Sequence, residues 1–298
     1  MSGFLGLDTS NYTTSAAYLA AGADKPVQAK QLLPVKAGEM GLRQSDAVFH
    51  HTRQLPEILE RLTDALAGGV AAVAGSDRPQ QVDGSYMPCF LVGAGAARQL
   101  GAVLGVPTYF FTHQQGHVMA ALTGAECLSR QRMMQLSSGS TSSASVVGHS
   151  LDLKAGQLID RVGGLLGLPF PAGPALEQLA LQATDTYRIK ATLRGTDCHL
   201  SGVENQCRDL LAKGTPPAQV ARFCLDSVGA AVEGMTQAVL AQYGDLPVVY
   251  AGGVMSNGIL KQRLTDRFGG RFAPPMYSAD NAAGIACLCR LAHEEGIR

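Results

Sequence analysis

Short apolar runs alternate with amphipathic stretches along the chain, a pattern typical of an α/β protein. Residues 4–20 and 132–148 share one order: an apolar run, a turn of small hydroxyl residues and a second apolar run, which predicts two similar β-hairpins. Such turns expose backbone N–H groups and hydroxyls that can surround phosphate oxygens. Their place at the start of each half indicates a duplicated architecture with a ligand between two lobes. The alternative is that these are ordinary turns, of which any α/β protein contains several.

The rest of the pattern predicts strands at 26–35, 107–111, 186–193 and 247–253, and helices at 43–67, 90–104, 155–167, 173–183, 216–243, 256–268 and 280–295. Pro56 lies inside the first helix and should kink or divide it. We expect a first lobe over residues 1–125 and a second over 126–279. The last helix, about 280–298, is expected to pack back onto the first lobe.

Composition narrows the class of protein. Lys+Arg and Asp+Glu both number 24, so no overall charge attracts nucleic acid, and the hydrophobic content of 46% with 35 glycines suits a compact enzyme. The seven cysteines are odd in number and form no CxxC pair, which favours reduced thiols in a cytoplasmic protein. The opening segment, MSGFLGLDTS, has neither a basic stretch nor a long apolar run, so we expect no signal peptide and no membrane span.

The stretch THQQGH places two histidines, His113 and His117, one helical turn apart behind Thr112, a residue suited to cap the helix. Side chains at this spacing share one face of a helix and can bind one metal ion, or they can be solvent-facing or structural. Gln114 stands where an HExxH protease carries its glutamate, so we do not expect proteolysis of that type. Asp280, ahead of a small-residue helix, could supply a further ligand or simply cap that helix.

Two glycine-rich segments suggest contact with a nucleotide. YAGGVMSNG (250–258) is a strand that ends in paired glycines, which lets backbone approach a flat ligand, although ordinary strand-to-helix turns look similar. Asp160 precedes a Pro-Ala-Gly-Pro turn at 171–174 and could bind sugar hydroxyls, or be a solvated helix residue. In contrast, LVGAGAARQLG (91–101) lacks the third glycine and the acidic residue of a dinucleotide-binding motif, so that assignment is rejected.

Together these segments resemble the Kae1/TsaD family, also known as Gcp or peptidase M22 glycoproteases. The HxxxGH motif of the family is similar to His113–His117, its DNAAMIA segment to residues 280–286, and its AGGVAAN turn to residues 251–257. GEAFDKxAxLLGLPYPGGP is similar to residues 156–174, and FSFSGLK is weakly echoed by CHLSGVE at 198–204. The resemblance keeps this order and covers nearly the whole chain.

The resemblance implies an actin-like ATPase (ASKHA, ribonuclease H-like) fold, duplicated into two lobes with a cleft between them. It implies transfer of a threonylcarbamoyl group from its adenylate to N6 of adenosine 37 in tRNA. The cofactors would be one metal ion (Fe, Zn or Mg) and an adenine nucleotide or acyl-adenylate, and the partner an actin-like protein or a second copy of the chain. The implied metal ligands are His113, His117 and Asp280. The implied nucleotide and substrate residues are Ser137, Ser138, Gly139, Asp160, Gly173, Gly252, Gly253 and Asn257, with Asp8, Thr9 and Ser10 as a phosphate turn.

The chain departs from the family pattern at both hairpin turns, which indicates a divergent paralogue. The SCDET turn becomes Ser-Asn-Tyr-Thr-Thr at 10–14, without carboxylates, and SGGHT becomes Ser-Ser-Gly-Ser-Thr at 137–141. Three functions therefore stand: a carbamoyl transferase, a non-catalytic or regulatory nucleotide-binding paralogue, and a glycoprotease. The glycoprotease ranks last because no nucleophile–base pair is visible.

Overall fold

The computed structural model describes residues 2–10, 12–34, 42–126, 146–278 and 281–296. The chain forms two compact units, one of residues 1–144 with 273–298 and one of residues 145–272. None of the described helices combines the length and the apolar character needed to cross a bilayer.

A five-stranded sheet organises the first unit. Its strands are β1 (Gly3–Ser10), β2 (Thr13–Leu19), β3 (Val27–Leu32), β4 (Val70–Arg78) and β5 (Thr108–Thr112), in the order β3-β2-β1-β4-β5. β1 pairs antiparallel with β2 and parallel with β4, and β4 pairs parallel with β5. Every residue of β1 is buried, as expected for a central strand covered on both faces. The predicted hairpin at 4–20 is confirmed.

Four helices follow these strands: α1 (Gln44–Glu60), α2 (Thr63–Leu66), α3 (Phe90–Leu104) and α4 (His113–Gly124). Leu5 and Leu7 pack with α1 and α3 on one face of the sheet. The predicted helix at 43–67 is divided as expected, but α1 continues through Pro56 and the break falls after Glu60.

The second unit is mainly helical. It contains α5 (Ala155–Leu165), α6 (Gly173–Ala180), β6 (Thr192–Arg194), β7 (Asp197–His199), α7 (Ser201–Ala212), α8 (Pro217–Tyr243), β8 (Val249–Tyr250), α9 (Gly258–Phe268) and β9 (Arg271–Phe272). Side chains of α8, including Cys224, Leu225 and Val228, form its core with Leu158 of α5 and Leu176 of α6.

The predicted strand at 186–193 is wrong. Only its end lies in β6, because the Tyr187 backbone N–H donates to Asp226 of α8 at 2.8 Å rather than to a neighbouring strand. The sequence pattern also missed β4, β7 and α7.

The chain then returns to the first unit through α10 (Pro275–Ser278) and α11 (Ala283–Glu294). α11 covers the face of the sheet opposite α1 and α3. At Gly6 of β1 an added Cβ would lie 2.9 Å from the Ala282 carbonyl oxygen, so only glycine admits this close approach.

Candidate functional site

The two histidines lie at the start of α4, where Thr112 caps the helix as predicted. Its hydroxyl accepts the Gln115 backbone N–H at 3.1 Å, and the Gln115 side chain accepts the Thr112 N–H at 2.8 Å. This capping box fixes the helix start at His113. The rings of His113 and His117 stand edge to face with centroids 4.2 Å apart.

The Asp8 carboxylate orients the first histidine. Asp8 is fully buried at the carboxyl end of β1, and its Oδ1 lies 3.1 Å from His113 Nδ1. Ser76 donates to Oδ1 and Ser10 donates to Oδ2 at 2.7 Å. Parallel β1, β4 and β5 end at one edge of the sheet, which is why residues 68 and 105 positions away from Asp8 meet there. A buried carboxylate accepts, so we assign the Nδ1 hydrogen to His113, which leaves Nε2 as the ring nitrogen that carries the lone pair.

Asp8, Thr9 and Ser10 are therefore bonded within the protein. Thr9 Oγ1 donates to the Cys89 carbonyl at 2.9 Å and accepts the Gly93 N–H at 3.0 Å. Gly93 sits where an added Cβ would meet that hydroxyl at 2.9 Å, so Thr9 joins the turn to α3.

A close helix crossing sets the position of α4. Gly116, between the histidines, faces Gly284 of α11, where an added Cβ would overlap the Gly116 carbonyl oxygen and lie 2.7 Å from Ala120 N. The backbones of the two helices thus touch. Asp280 precedes α11 by three positions in the sequence but falls outside the described residues, as do Ser137, Ser138 and Gly139. Within the described ranges, no group of three or more His, Cys, Asp or Glu side chains is arranged to hold a metal ion.

A buried polar chain that sequence reasoning missed supports the first hairpin. Thr14 Oγ1 donates to Gln54 Oε1 at 2.7 Å and lies 2.8 Å from His51 Nδ1, so the imidazole must donate and its Nε2 carries the lone pair. Burial lowers the pKa of His51 to about 4. Its Nε2 is buried and meets no hydrogen-bond partner in the part of the chain that is described. A histidine on the inward face of an amphipathic helix was the available signal.

The predicted nucleotide residues that fall within the described ranges, Asp160, Gly173, Gly252, Gly253 and Asn257, lie in the second unit. Asp160 Oδ1 accepts the Ala172 N–H at 2.8 Å, which ties the 171–174 turn to α5 just before α6 begins at Gly173. Asn257 is buried and caps α9 by accepting the Leu260 N–H at 3.1 Å. Gly252 has a φ of +104°, a backbone conformation that glycine adopts readily and other residues rarely do. Gly253 has right-handed helical backbone angles.

The second half of α6 and one side of α9 line a cavity of about 840 Å³. Its lining does not include Asp160, Gly173, Gly252, Gly253 or Asn257. Glu177 joins these helices by accepting the Gly258 N–H at 2.8 Å, and Ile259 contributes an apolar wall. Ion pairs stabilise the far side, where Arg263 Nε donates to Glu233 at 2.8 Å. The cavity volume lies within the usual range for small-molecule sites. Glu177 was missed by sequence reasoning because its role depends on α9, which lies 81 positions away.

Comparison with known proteins identifies the family. The sequence profile described as TsaD, tRNA N6-adenosine threonylcarbamoyltransferase, matches residues 38–287. A protein of that name from Methanopyrus kandleri is 30% identical over 86% of this chain and 78% of its own length. Another from Bacillus licheniformis is 29% identical over 99% of this chain and 93% of its own length.

Solved structures show the fold. Component A of (R)-2-hydroxyglutaryl-CoA dehydratase from Acidaminococcus fermentans matches with a TM-score of 0.53 and 17% identity, covering 98% of this chain and 100% of that chain. HypF from T. kodakarensis matches with a TM-score of 0.56 and 12% identity, covering 98% of this chain and 48% of that chain. The chain described here therefore has the actin-like ATPase fold and belongs to the TsaD family of tRNA N6-adenosine threonylcarbamoyltransferases.

Proposed function

We propose that this protein binds a metal ion and an adenine nucleotide or acyl-adenylate and transfers a threonylcarbamoyl group to N6 of adenosine 37 in tRNA. The observation that carries the proposal is the buried Asp8 carboxylate beside His113, on the helix that also presents His117. We further propose a cytoplasmic protein that works with an actin-like partner or as a homodimer.

The donor set suits a metal ion. Metal-binding histidines commonly donate their second ring nitrogen to a carboxylate, which fixes the ring and raises its basicity. Asp8 stands in that position toward His113, at 3.1 Å. In this proposal His113 and His117 bind the ion with Asp280 as third ligand. Imidazole and carboxylate ligands are compatible with Fe or Zn and, less well, with Mg.

In this proposal an adenosine binds beside the 171–174 and 251–257 turns, next to the cavity of the second unit. That cavity is lined by Glu177 of α6 and by Gly258 and Ile259 of α9, the helices that follow these turns. The Asp160 bond to Ala172 keeps the first turn in place. Asp160 Oδ2 would then bind a ribose hydroxyl, and Gly252 and Gly253 would admit the ligand close to the backbone. Ser137, Ser138 and Gly139 would face the phosphate or the carbamoyl group.

The chemistry requires a polarised acyl group and a stabilised leaving phosphate. When bound, the ion supplies positive charge to the oxygens of the acyl-adenylate. The residues of this chain orient the reacting groups. Asp8 holds the His113 ring and keeps its hydrogen on Nδ1, Asp160 holds the 171–174 turn, and Glu177 joins α6 to α9.

A regulatory nucleotide-binding paralogue is the second candidate, and one observation favours it. Tyr12 and Thr13 stand where the family turn carries its two carboxylates, and Thr13 is buried. At these two positions the turn therefore offers no carboxylate to a metal ion or a substrate.

Reconstitution with threonylcarbamoyl-adenylate and unmodified tRNA tests the proposal. We expect modified tRNA from the wild type, loss of metal and product in His113→Ala/His117→Ala, and about 10–100-fold weaker metal binding in Asp8→Asn. His50→Ala, a partly exposed histidine on α1, is the matched control and should leave both unchanged.

The outcomes separate the candidates. Nucleotide binding without product, in metal-loaded protein, would support the regulatory paralogue and exclude the transferase. Unchanged metal content in the double histidine variant would show that the metal site has been misassigned.

A further inference from the structure

A second cavity, of about 420 Å³, lies in the 145–272 unit between the start of α7, the first half of α8 and the extended segment 186–191. Its inner wall is one face of α8, formed by Phe223, Ser227 and Ala231 at intervals of four residues. Leu200 and Val203 supply the opposite apolar side. This is the segment 198–204 that echoes a family motif, and the proposed function gives it no role.

The charge of this cavity is of one sign. Arg188, Lys190 and His199 line it, and no carboxylate does, whereas four arginines and four carboxylates share the larger cavity. Arg188 and Lys190 form no ion pair with any described residue, and both are exposed. His199 Nδ1 lies 3.4 Å from Asp152 Oδ2, a contact that orients the ring.

Both walls are held in place before any ligand arrives. Asp152 accepts the Leu200 N–H at 2.8 Å and the Ser201 hydroxyl at 2.6 Å, which anchors the start of α7. Burial raises the pKa of Asp152, but these hydrogen bonds outweigh it and the pKa lies well below its usual value. On the opposite wall, the Asp226 carboxylate accepts a hydrogen bond from the Tyr187 backbone N–H at 2.8 Å, and the Tyr187 ring packs against the Phe223 ring.

The interior is apolar with one buried hydroxyl. Ser227 donates its hydrogen to the Phe223 carbonyl at 2.7 Å, so the buried end offers little to a charged group. A ligand with an apolar body and a negatively charged head group would match both regions, with its body in the interior and its head group at the cationic mouth. We propose that this cavity binds a small amphipathic anion, a carboxylate or phosphate monoester on a short apolar chain. This site contains none of the proposed metal or nucleotide residues, although Arg188 also lines the larger cavity, and it does not depend on the proposed function.

Isothermal titration of the full chain with hexanoate, hexyl phosphate and hexan-1-ol tests the site. We expect the anions to bind at least about tenfold more tightly than hexan-1-ol, a difference of about 1.4 kcal/mol. Binding of one anion alone would identify the head group as a carboxylate or a phosphate. Equal binding of hexan-1-ol, or no binding of either anion, would overturn the proposal.

Two variants locate the site. Lys190→Glu reverses a charge at the mouth and should weaken anion binding at least about tenfold, while Lys213→Glu, equally exposed and outside the cavity, should not. Gly202→Leu places a side chain at the mouth, where an added Cβ meets no atom within 4 Å, and should also reduce binding. Gly164→Leu, a helical glycine of the same openness on α5, is its control. Wild-type affinity in both Lys190→Glu and Gly202→Leu would refute this location.

Discussion

The contact between α4 and α11 predicts that Gly284→Ala destabilises the first unit strongly. A Cβ at position 284 would overlap the carbonyl oxygen of Gly116 and come within 2.7 Å of Ala120 N. Both obstacles are helix backbone, which cannot rotate away. The helices must therefore separate, and the histidine-bearing start of α4 must move with them.

The magnitude follows from comparison with Gly116→Ala. Overpacking in a core typically costs about 1–3 kcal/mol, and a backbone obstacle belongs at the upper end. Replacing a helical glycine by alanine returns up to about 1 kcal/mol, so the net loss for Gly284→Ala is about 2 kcal/mol or more. At Gly116 the nearest atom is the terminal methyl of Ile285, at 2.8 Å, which can shift. Gly116→Ala should therefore change the free energy of unfolding by less than about 1 kcal/mol.

Urea unfolding followed by far-UV circular dichroism measures the difference, since the chain contains no tryptophan. Hydrogen exchange of peptides from α4 assigns the loss to the first unit. The reasoning is refuted if the two variants have free energies of unfolding within about 0.5 kcal/mol of each other, the usual scatter of neutral substitutions.

Two further predictions concern the hairpin and the glycine turn. The pKa of His51 is about 4 in the folded protein and 6.5 in the unfolded chain, so the unfolded chain binds more protons between these two pH values. The contribution of His51 to the free energy of unfolding is therefore fully present above pH 6.5 and falls by about 3 kcal/mol toward pH 4. In His51→Gln the loss between pH 7 and 4.5, measured by urea unfolding, should shrink by about 2 kcal/mol, and an unchanged pH profile would exclude this origin. Gly252→Ala forces a φ of +104° on alanine and should lower the free energy of unfolding by about 1–3 kcal/mol. Gly253 has a right-handed helical backbone and open space around it, so Gly253→Ala should be neutral or slightly stabilising. Equal thermal midpoints for the two variants would contradict backbone strain at Gly252.

Local signals in the sequence were sufficient for much of the fold. The helix predicted at 90–104 is α3, the helix predicted at 216–243 is α8 within one residue, and Thr112 caps α4. These elements are specified by their own periodicity and cap residues. α7 was missed because its start is held by Asp152, 48 positions before Leu200, and no local pattern reveals such a partner.

The candidate site, like the fold, could be predicted from the sequence only in part. The histidine pair could be found from its spacing, since one helical turn separates the two residues. Its carboxylate partner could not, because Asp8 reaches His113 only through the parallel pairing of β1, β4 and β5. Asp8 was instead expected in a phosphate turn. The metal site itself, the role of Asp280 in it, and the contact of Ser137–Gly139 with a phosphate stay predictions.

Each of the two units contains buried cysteines whose alkylation can report when that unit opens. Cys89, Cys287 and Cys289 are buried in the first unit, and Cys198, Cys207 and Cys224 in the second. Burial raises the pKa of Cys287 and Cys289, so little thiolate is present and these sulfurs resist alkylation while the protein is folded. Labelling at such positions requires the surrounding helices to open. Mass-spectrometric alkylation kinetics would therefore record the opening of the two units separately in one unmodified protein, without an added fluorophore.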